Sequence, residues 1–169
     1  MSINHFEFRY AYLSSRYPVT IKLGEFPGRV FPTADNAYWV LIYPDMMEKL
    51  SYSDGADIQE MLNTMNAIEA NRHGTVRMVD TFRRNRAFIV PEDVKVNAMR
   101  TVTEAKFDQH PNLRAKLIKT NGHTLFYINT WEDTFWGVKV TDTRTYVGKN
   151  WLGRILMDLR EAYLKETAG

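Results

Sequence analysis

Two aspartates, each close in sequence to a tryptophan, are the side chains of this sequence that are most suited to take part in a reaction. Asp133 stands three residues before Trp136 in the segment WEDTFWG, and Asp35 lies near the start of the segment ADNAYW. A predicted strand delivers Asp133 and Trp136 into a loop that is bounded by glycine. On its own, Asp35 is explained as a surface residue that complements the dipole of a helix N-terminus.

A second candidate site precedes the last predicted helix. Gly148, Lys149 and Asn150 lead directly into that helix. Asn150 is predicted to be its N-cap, and exposed amides at a helix start can bind a phosphate. The alternative is an ordinary loop and a capped helix, with Trp136 and Trp151 as core residues.

Other kinds of catalytic site find no support in the sequence. It has no glycine-rich phosphate loop, no dinucleotide fingerprint, and no G-x-S-x-G or H-E-x-x-H motif. Cysteine is absent, and the four histidines share no metal-ligand spacing. We therefore expect no metal and no cofactor.

Hydrophobic periodicity predicts the elements that must position these residues. Thr33 is a candidate N-cap for the first helix, and Pro44 is expected to end it. The predicted helices cover residues 33–43, 54–70, 92–107, a short stretch at 113–117, and 152–163, and the predicted strands cover 19–23 and 125–131. The expected fold class is mainly α with a small β component, in a single compact helical domain over residues 1–169.

Composition narrows the class of protein further. The chain has 169 residues, of which 44% are hydrophobic and 25% charged, as is typical of one globular domain. A net charge of +2 is too low for a protein that coats nucleic acid, so a nucleic acid would be held at a local site. Neither a signal peptide nor an apolar run long enough to span a membrane is visible. We expect no membrane partner, a cytoplasmic location and a monomer.

Four segments, in this order, resemble the NADAR family, which is named for its association with NAD and ADP-ribose metabolism. The opening segment YLSSRYP begins at residue 12, DNAY at residue 35, and AMRTVTEAKF at residue 98. The most specific part is DTFWG from residue 133, followed by GKNWLGRILMDLR from residue 148. The resemblance covers residues 8–164.

The resemblance implies a mainly helical single domain with N-glycosidase activity. Family members hydrolyse either phosphoribosylamino-pyrimidine intermediates of riboflavin synthesis or ADP-ribose attached to guanine bases of DNA or RNA. Both reactions break a C–N bond at an anomeric ribose carbon through an oxocarbenium-like state. The implied catalytic residues are Asp35, which would orient or deprotonate water, Asp133, which would stabilise the ribosyl cation, and Trp136, which would stack on the base. The two aspartates could exchange these roles.

The same resemblance implies the residues that bind the substrate. Lys106 and Lys149, with the amides around Asn150, would hold phosphate. The complete predicted set is Ser14, Ser15, Tyr38, Lys106, Gly148, Lys149 and Asn150.

The chain departs from the family pattern at several positions. Asp35 and Asn36 replace the usual Glu-His pair, Ser15 replaces Asn, and Ile42 replaces Lys. Pro91 stands where riboflavin-pathway members have a Trp near the substrate. The shorter carboxylate of Asp35 moves a general base by about the length of one C–C bond, which affects a precisely positioned group.

Three functions are open on this basis. The first is removal of ADP-ribose from guanine in DNA or RNA, which Pro91 and the arginines of residues 77–86 favour. Those arginines are explained first as a solvated basic face. The second is an N-glycosidase acting on a small phosphoribosyl substrate of riboflavin synthesis. The third is a non-catalytic ADP-ribose-binding module, in which the change from Glu to Asp has removed hydrolysis.

Overall fold

The computed structural model of the chain describes residues 1–57 and 90–169. In chain order its elements are β1 Ser2–Ile3, a 3-10 helix Phe8–Leu13, β2 Arg29–Val30, α1 Ala34–Ile42, a 3-10 helix Pro44–Met46, α2 Met47–Leu50, β3 Tyr52–Ser53, α3 Glu92–Gln109, α4 Pro111–Lys119, β4 Thr124–Leu125, β5 Lys139–Val140, β6 Tyr146–Val147 and α5 Trp151–Ala168. The strands of the described part form three two-stranded pairs. The prediction of a mainly α fold with a small β component is confirmed.

Contacts divide the chain into two compact units. The terminal unit combines residues 1–17 with residues 103–169, and the middle unit is drawn from residues 18–102. The boundary falls inside α3, between Val102 and Thr103. The assignment of one domain to residues 1–169 stays a prediction.

Helix α1 of the middle unit forms as the sequence predicts. The Thr33 hydroxyl accepts a hydrogen bond from the Asn36 amide at 3.0 Å, so Thr33 is the N-cap. The helix ends at Ile42, two residues before Pro44, which lacks the amide needed to continue it. The Asn36 side chain is buried and donates to the Leu50 carbonyl at 3.1 Å, which ties α1 to the end of α2.

Two other predictions for the middle unit are corrected. The predicted strand 19–23 is reduced to one antiparallel bridge, in which Ile21 and Phe31 exchange two backbone hydrogen bonds of 2.8 Å. The predicted helix 54–70 does not begin at residue 54, because residues 54–57 follow β3 in a turn with Gly55 at φ 91°. Residues 58–70 of that predicted helix, and the arginine-rich residues 72–86, lie outside the described residues.

Helix α3 is present where it was predicted, but its buried face only partly matches the apolar stripe that the sequence predicts, namely Val94, Ala98, Thr101, Val102 and Ala105. Val94, the first residue of the predicted apolar stripe, is 45% exposed. Val102 of that stripe is fully buried, and it is joined at helical spacing by Met99 and Lys106, which the pattern did not include. The true buried stripe therefore contains a lysine, which an apolar pattern does not detect.

The core of the terminal unit forms around α5. The sequence predicts an apolar stripe of Leu152, Ile155, Leu156, Leu159 and Tyr163, and all five are buried, together with Gly153. Strand β4 lies beside β1 in parallel, with Ile3 opposite Leu125. The Arg160 guanidinium donates to the carbonyls of Thr120 and His123 at 2.8 and 2.9 Å, so α5 also satisfies the carbonyls that follow α4.

The predicted strand 125–131 is shorter than expected because a side chain takes the place of a strand partner. Regular pairing covers only Thr124–Leu125, and Ile128 adds one bridge to Val138. Between them, the Asn150 side chain accepts from the Tyr127 amide at 3.0 Å and donates to the Leu125 carbonyl at 2.9 Å. Asn150 therefore completes the hydrogen bonding of the extended segment.

The predicted capping role of Asn150 is wrong. Asn150 occupies the N-cap position of α5, but its side chain makes no capping hydrogen bond and is buried against residues 125–127. Its backbone is in the left-handed region at φ 51°, which Asn tolerates better than most residues. Gly153 lies one turn later, where a Cβ atom would come within 2.2 Å of the Leu125 carbonyl oxygen.

Among the helices of the described residues, none is both long and apolar enough to cross a membrane.

Replacing Asn150 should destabilise the chain strongly. Asn150→Ala leaves the Tyr127 amide and the Leu125 carbonyl without this partner, and an unsatisfied buried polar group costs about 1–3 kcal/mol. We expect the free energy of unfolding in guanidinium titrations to fall by about 2–4 kcal/mol in total. Asn121→Ala is the control, because Asn121 is exposed and, among the described residues, its side chain bonds to the adjacent Gly122 amide alone. Equal stability losses in the two variants would contradict this role for Asn150.

Candidate active site

The structure places the predicted site residues in both compact units. The terminal unit holds eight of them: Ser14, Ser15, Lys106, Asp133, Trp136, Gly148, Lys149 and Asn150. The middle unit holds Asp35 and Tyr38. Within the terminal unit, hydrogen bonds connect Lys106 to Ser14. Others connect residues 133–137, which we call the Asp133 loop, to the start of α5. The participation of Asp35 and Asp133 in one reaction stays a prediction.

Asp133 organises the loop that contains it. Its Oδ1 accepts hydrogen bonds from the amides of Phe135 and Trp136 at 2.9 and 2.8 Å. The Asp133 amide donates to the Asn129 side chain at 2.8 Å. Its Oδ2 accepts no hydrogen bond from the described part of the chain. One carboxylate oxygen thus holds the loop, and the second is available to a cationic or proton-donating group.

Trp136 is half-buried next to this carboxylate. Its ring meets the Phe135 ring edge to face, with centroids 4.7 Å apart. The next residue, Gly137, approaches the Tyr127 carbonyl so closely that a Cβ atom would lie 2.0 Å from its oxygen. Glycine at 137 therefore lets the loop close against residue 127 and places Trp136 immediately before this contact.

The amides at the start of α5 are not free to bind an anion. The amides of residues 149, 150, 151 and 152 donate to the carbonyls of residues 134, 137, 135 and 136, respectively, at 2.8–3.2 Å. These bonds use the amides of Asn150, Trp151 and Leu152, which a helix start would otherwise offer, and the amide of Lys149 before them. The predicted phosphate site made of amides around Asn150 is therefore wrong, and its physical cause is that the Asp133 loop caps the helix with its own backbone.

Gly148 and Lys149 lie where α5 meets this loop. Gly148 has φ 143°, and a Cβ atom there would come within 2.4 Å of the Gly137 carbonyl oxygen. The Lys149 side chain is exposed, with its Nζ 5.8 Å from the centroid of the Phe135 ring. Lys149 can therefore present a positive charge beside the Asp133 loop, as the predicted phosphate contact requires.

Lys106 is buried, which sequence reasoning did not anticipate. Its side chain belongs to a residue that is 1% exposed, and its Nζ donates to the Ser14 carbonyl at 2.7 Å. Within the described residues, no carboxylate forms an ion pair with it. Burial lowers the pKa of Lys106 from 10.5 to about 7. Lys106 is therefore not a permanent cation at neutral pH, as a simple phosphate-binding lysine would be.

Ser14 and Ser15 belong to the turn that holds the Lys106 amine. The Ser14 carbonyl accepts from the Tyr17 amide at 3.2 Å as well as from Lys106, and the Ser14 hydroxyl accepts from the Arg16 amide at 3.2 Å. The Tyr17 ring centroid lies 5.5 Å from the lysine Nζ. This turn therefore surrounds the amine with one carbonyl and one aromatic ring.

Asp35 and Tyr38 both lie on α1. Asp35 is half-buried in the first turn of the helix, where the helix dipole favours a carboxylate. Tyr38 is almost fully buried and meets the Trp39 ring edge to face at 4.9 Å. Their position on one helix is consistent with the predicted motif, and their contact with a substrate stays a prediction.

Sequence reasoning missed one further pair of residues. The Arg16 guanidinium lies 5.1 Å from the centroid of the Trp131 ring. Arg16 and Trp131 are 115 positions apart in the sequence, so no local sequence pattern could have connected them. Residues 1–57 and 90–169 contain no group of three or more His, Cys, Asp or Glu side chains arranged to hold a metal ion.

The buried lysine predicts a specific pH dependence of stability. Between pH 7 and 10.5 the unfolded chain keeps the Lys106 proton and the folded chain loses it, so the Lys106 contribution to stability improves as pH rises. Below pH 7 both states hold the proton, and the cost of burying the charge is complete. The stability of the wild type relative to Lys106→Met should therefore rise with pH above 7, by at most about 1.4 kcal/mol per pH unit.

Chemical denaturation of both proteins at pH 6, 8 and 10 measures this difference. Comparison with Lys106→Met removes the titration of the other groups, which the two chains share. Lys149→Met is the control, because it removes an exposed lysine. If the free energy of unfolding of the wild type differs from that of Lys106→Met by the same amount at all three pH values, the lowered pKa of Lys106 is contradicted.

Comparison with known proteins agrees with this architecture. The chain matches the NADAR domain model over residues 4–164. The chloroplastic riboflavin biosynthesis protein PYRR of Arabidopsis thaliana is 39% identical over 77 residues, which are 46% of this chain and 12% of that protein. N-glycosidase YbiA of Escherichia coli K12 is 44% identical over 70 residues, which are 41% of each chain. The aligned segments thus span less than half of either relative.

A solved structure is similar over a longer range. The NMR structure of the E. coli protein YbiA matches with a TM-score of 0.62 and 25% sequence identity, covering 99% of this chain and 89% of that chain. Since the domain model spans nearly the whole sequence and the fold agrees with that of YbiA, this chain belongs to the NADAR family.

Proposed function

We propose that this chain is an N-glycosidase that removes ADP-ribose from ADP-ribosylated guanine in DNA or RNA. Family membership and the similarity to a protein named N-glycosidase YbiA support the reaction type. The observation that carries the proposal is that the two carboxylate oxygens of Asp133 have different environments. Its Oδ1 is fixed by two loop amides, while its Oδ2 accepts no hydrogen bond from the described residues.

The proposed reaction is a hydrolysis at the anomeric ribose carbon. The bond from that carbon to the base nitrogen breaks, the oxygen of water forms a new bond to the carbon, and the water proton that is released balances the proton taken up by the base. Positive charge develops on the ribose as the C–N bond lengthens. A carboxylate held rigidly by its own loop can stabilise this charge without reorganising, and we assign this role to Asp133.

The other predicted residues take supporting roles in this proposal. Asp35, from the family motif, orients or deprotonates the water. Trp136 stacks on the base, for which a half-buried ring beside Asp133 is suited. Lys149 attracts a phosphate of the ADP-ribose, since it is an exposed cation at the same loop. The predicted contact of Lys106 with a phosphate requires its amine to take up a proton, because its pKa is about 7.

A second candidate substrate is a phosphoribosylamino-pyrimidine. The name of the Arabidopsis relative, a riboflavin biosynthesis protein, favours it. The two substrates differ in size, because a nucleic acid needs phosphate contacts beyond the ribosyl group and a small metabolite does not. Binding of a polymer should therefore weaken steeply with salt, and binding of the metabolite should change less.

The function is tested by the release of ADP-ribose from an oligonucleotide that carries ADP-ribosylated guanine, followed by mass spectrometry. We expect release by the wild type and a loss of at least about 100-fold in Asp133→Asn. Asparagine keeps a side-chain oxygen for the Phe135 and Trp136 amides and removes the negative charge. Its thermal stability should therefore stay close to that of the wild type.

Asp133→Ala is the companion variant, because it removes both the charge and the loop hydrogen bonds. It should lose activity and also about 1–3 kcal/mol of stability. Full turnover in a folded Asp133→Asn protein would exclude the charge from the mechanism. Release from a phosphoribosylamino-pyrimidine but not from the oligonucleotide would replace the first substrate with the second.

Substitution at Asp35 separates an enzyme from a binding module. Asp35→Asn keeps the shape of the side chain and removes the base, so cleavage should fall by about 100-fold while binding of ADP-ribose persists. Both quantities can be measured on one preparation, by product release and by isothermal titration. A wild type that binds ADP-ribose without turnover, together with cleavage by Asp35→Glu, would instead identify a binding module whose shorter carboxylate had removed hydrolysis.

A further inference from the structure

Trp131 is a large aromatic residue that the terminal unit holds at its surface. It is 56% exposed. Its ring meets the Tyr127 ring edge to face at 6.5 Å, and Tyr127 stacks on the buried Phe6 ring at 5.4 Å. The three rings thus form a supported series that leads from the core to the surface. A tryptophan supported in this way is suited to contact a ligand, because less side-chain freedom is lost on binding.

A cation that forms no ion pair with any described carboxylate accompanies this ring. The Arg16 guanidinium lies 5.1 Å from the Trp131 ring centroid, and in the described part of the chain it forms no ion pair. Arg29 and Arg114, by comparison, pair with Glu48 and Glu166. Within residues 1–57 and 90–169, the charge of Arg16 is therefore not neutralised by a neighbouring acid.

The two acidic residues that follow Trp131 have partners of their own, although the Oδ2 of Asp133 accepts no hydrogen bond from the described residues. Glu132, which follows Trp131, lies 4.0 Å from the Lys139 amine. Asp133 directs its Oδ1 to the loop amides. The exposed ring and the Arg16 guanidinium, which forms no ion pair within the described residues, together offer an incoming ligand an aromatic face and a positive charge.

The pair also links two segments that carry candidate site residues. Arg16 is part of the Ser14–Tyr17 turn, whose carbonyl holds the Lys106 amine. Trp131 lies two residues before Asp133. A ligand on this pair therefore lies beside the candidate site of the terminal unit.

We propose that Arg16 and Trp131 bind a nucleotide of a single-stranded nucleic acid that flanks the modified base. Trp131 stacks on the flanking base, and Arg16 contacts the backbone phosphate. Stacking accepts any base, and a guanidinium binds phosphate in a bidentate geometry. This proposal rests on the proposed function. It adds a contact that a nucleic-acid strand can make and that an isolated ADP-ribosylated nucleoside cannot make.

Binding of an unmodified, fluorescein-labelled ten-nucleotide oligothymidylate tests this surface without any cleavage. By fluorescence anisotropy, Trp131→Ala should weaken binding by about tenfold, and Trp131→Phe should recover most of the loss because it keeps a ring. Arg16→Ala should weaken binding severalfold and lower the slope of log affinity against log salt by about 0.7. Thermal unfolding of each variant checks that it is folded.

Arg154→Ala is the matched control. Arg154 is also exposed and also lies 5.1 Å from a tryptophan ring centroid, that of Trp151. Removing it changes the net charge by the same amount as Arg16→Ala. We expect the affinity of Arg154→Ala to stay within about twofold of the wild type, so that a larger loss in Arg16→Ala is assigned to its position and not to charge alone.

A cleavage assay on two substrates distinguishes this proposal from the proposed function. Trp131→Ala should cleave ADP-ribosylguanosine as the wild type does and should cleave the modified oligonucleotide less efficiently through a higher KM. Wild-type protein that does not bind the oligothymidylate, or Trp131→Ala and Arg16→Ala proteins that bind it normally, would overturn the proposal even if cleavage occurs. Binding that depends on both residues, without cleavage of either substrate, would support this surface and overturn the proposed function.

Discussion

The backbone hydrogen bonds between the Asp133 loop and the start of α5 are the interaction on which the candidate site depends. Four consecutive amides of residues 149–152 donate to four carbonyls of residues 134–137. A helix start normally needs a side chain, water or a ligand to satisfy its first amides. Here the loop itself supplies the acceptors, so the helix is capped and the loop that carries Asp133 and Trp136 is held in one position.

The same arrangement explains why several residues that look functional have structural roles. Asn150 completes the hydrogen bonds of residues 125 and 127, and Gly137 and Gly148 allow backbones to approach within distances that a Cβ atom would not permit. These features fix the backbone around the candidate site. The family motif therefore combines residues that the fold requires, such as Gly137, with a residue that the proposed reaction requires, Asp133.

Lys106 illustrates the opposite case, in which a charged residue is placed where charge is costly. Its burial lowers its pKa to about 7, and its amine has the Ser14 carbonyl as its hydrogen-bond acceptor. Burial of an unpaired amine costs stability. Strongly perturbed lysines are found more often at functional sites than elsewhere, and Lys106 lies beside the turn that holds Arg16, so this cost is consistent with a site in the terminal unit.

Local rules determined what depends on neighbouring residues. The Thr33 cap, the end of α1 before Pro44, the apolar stripe of α5 and the order of the family motifs were all readable from the sequence, because each depends on residues within a few turns of one another. Tertiary structure alone decided the burial of Lys106, the role of Asn150, the loss of the anion site and the meeting of Arg16 with Trp131. Each of these depends on which distant backbone atoms satisfy a polar group, and a one-dimensional pattern carries no information about such partners.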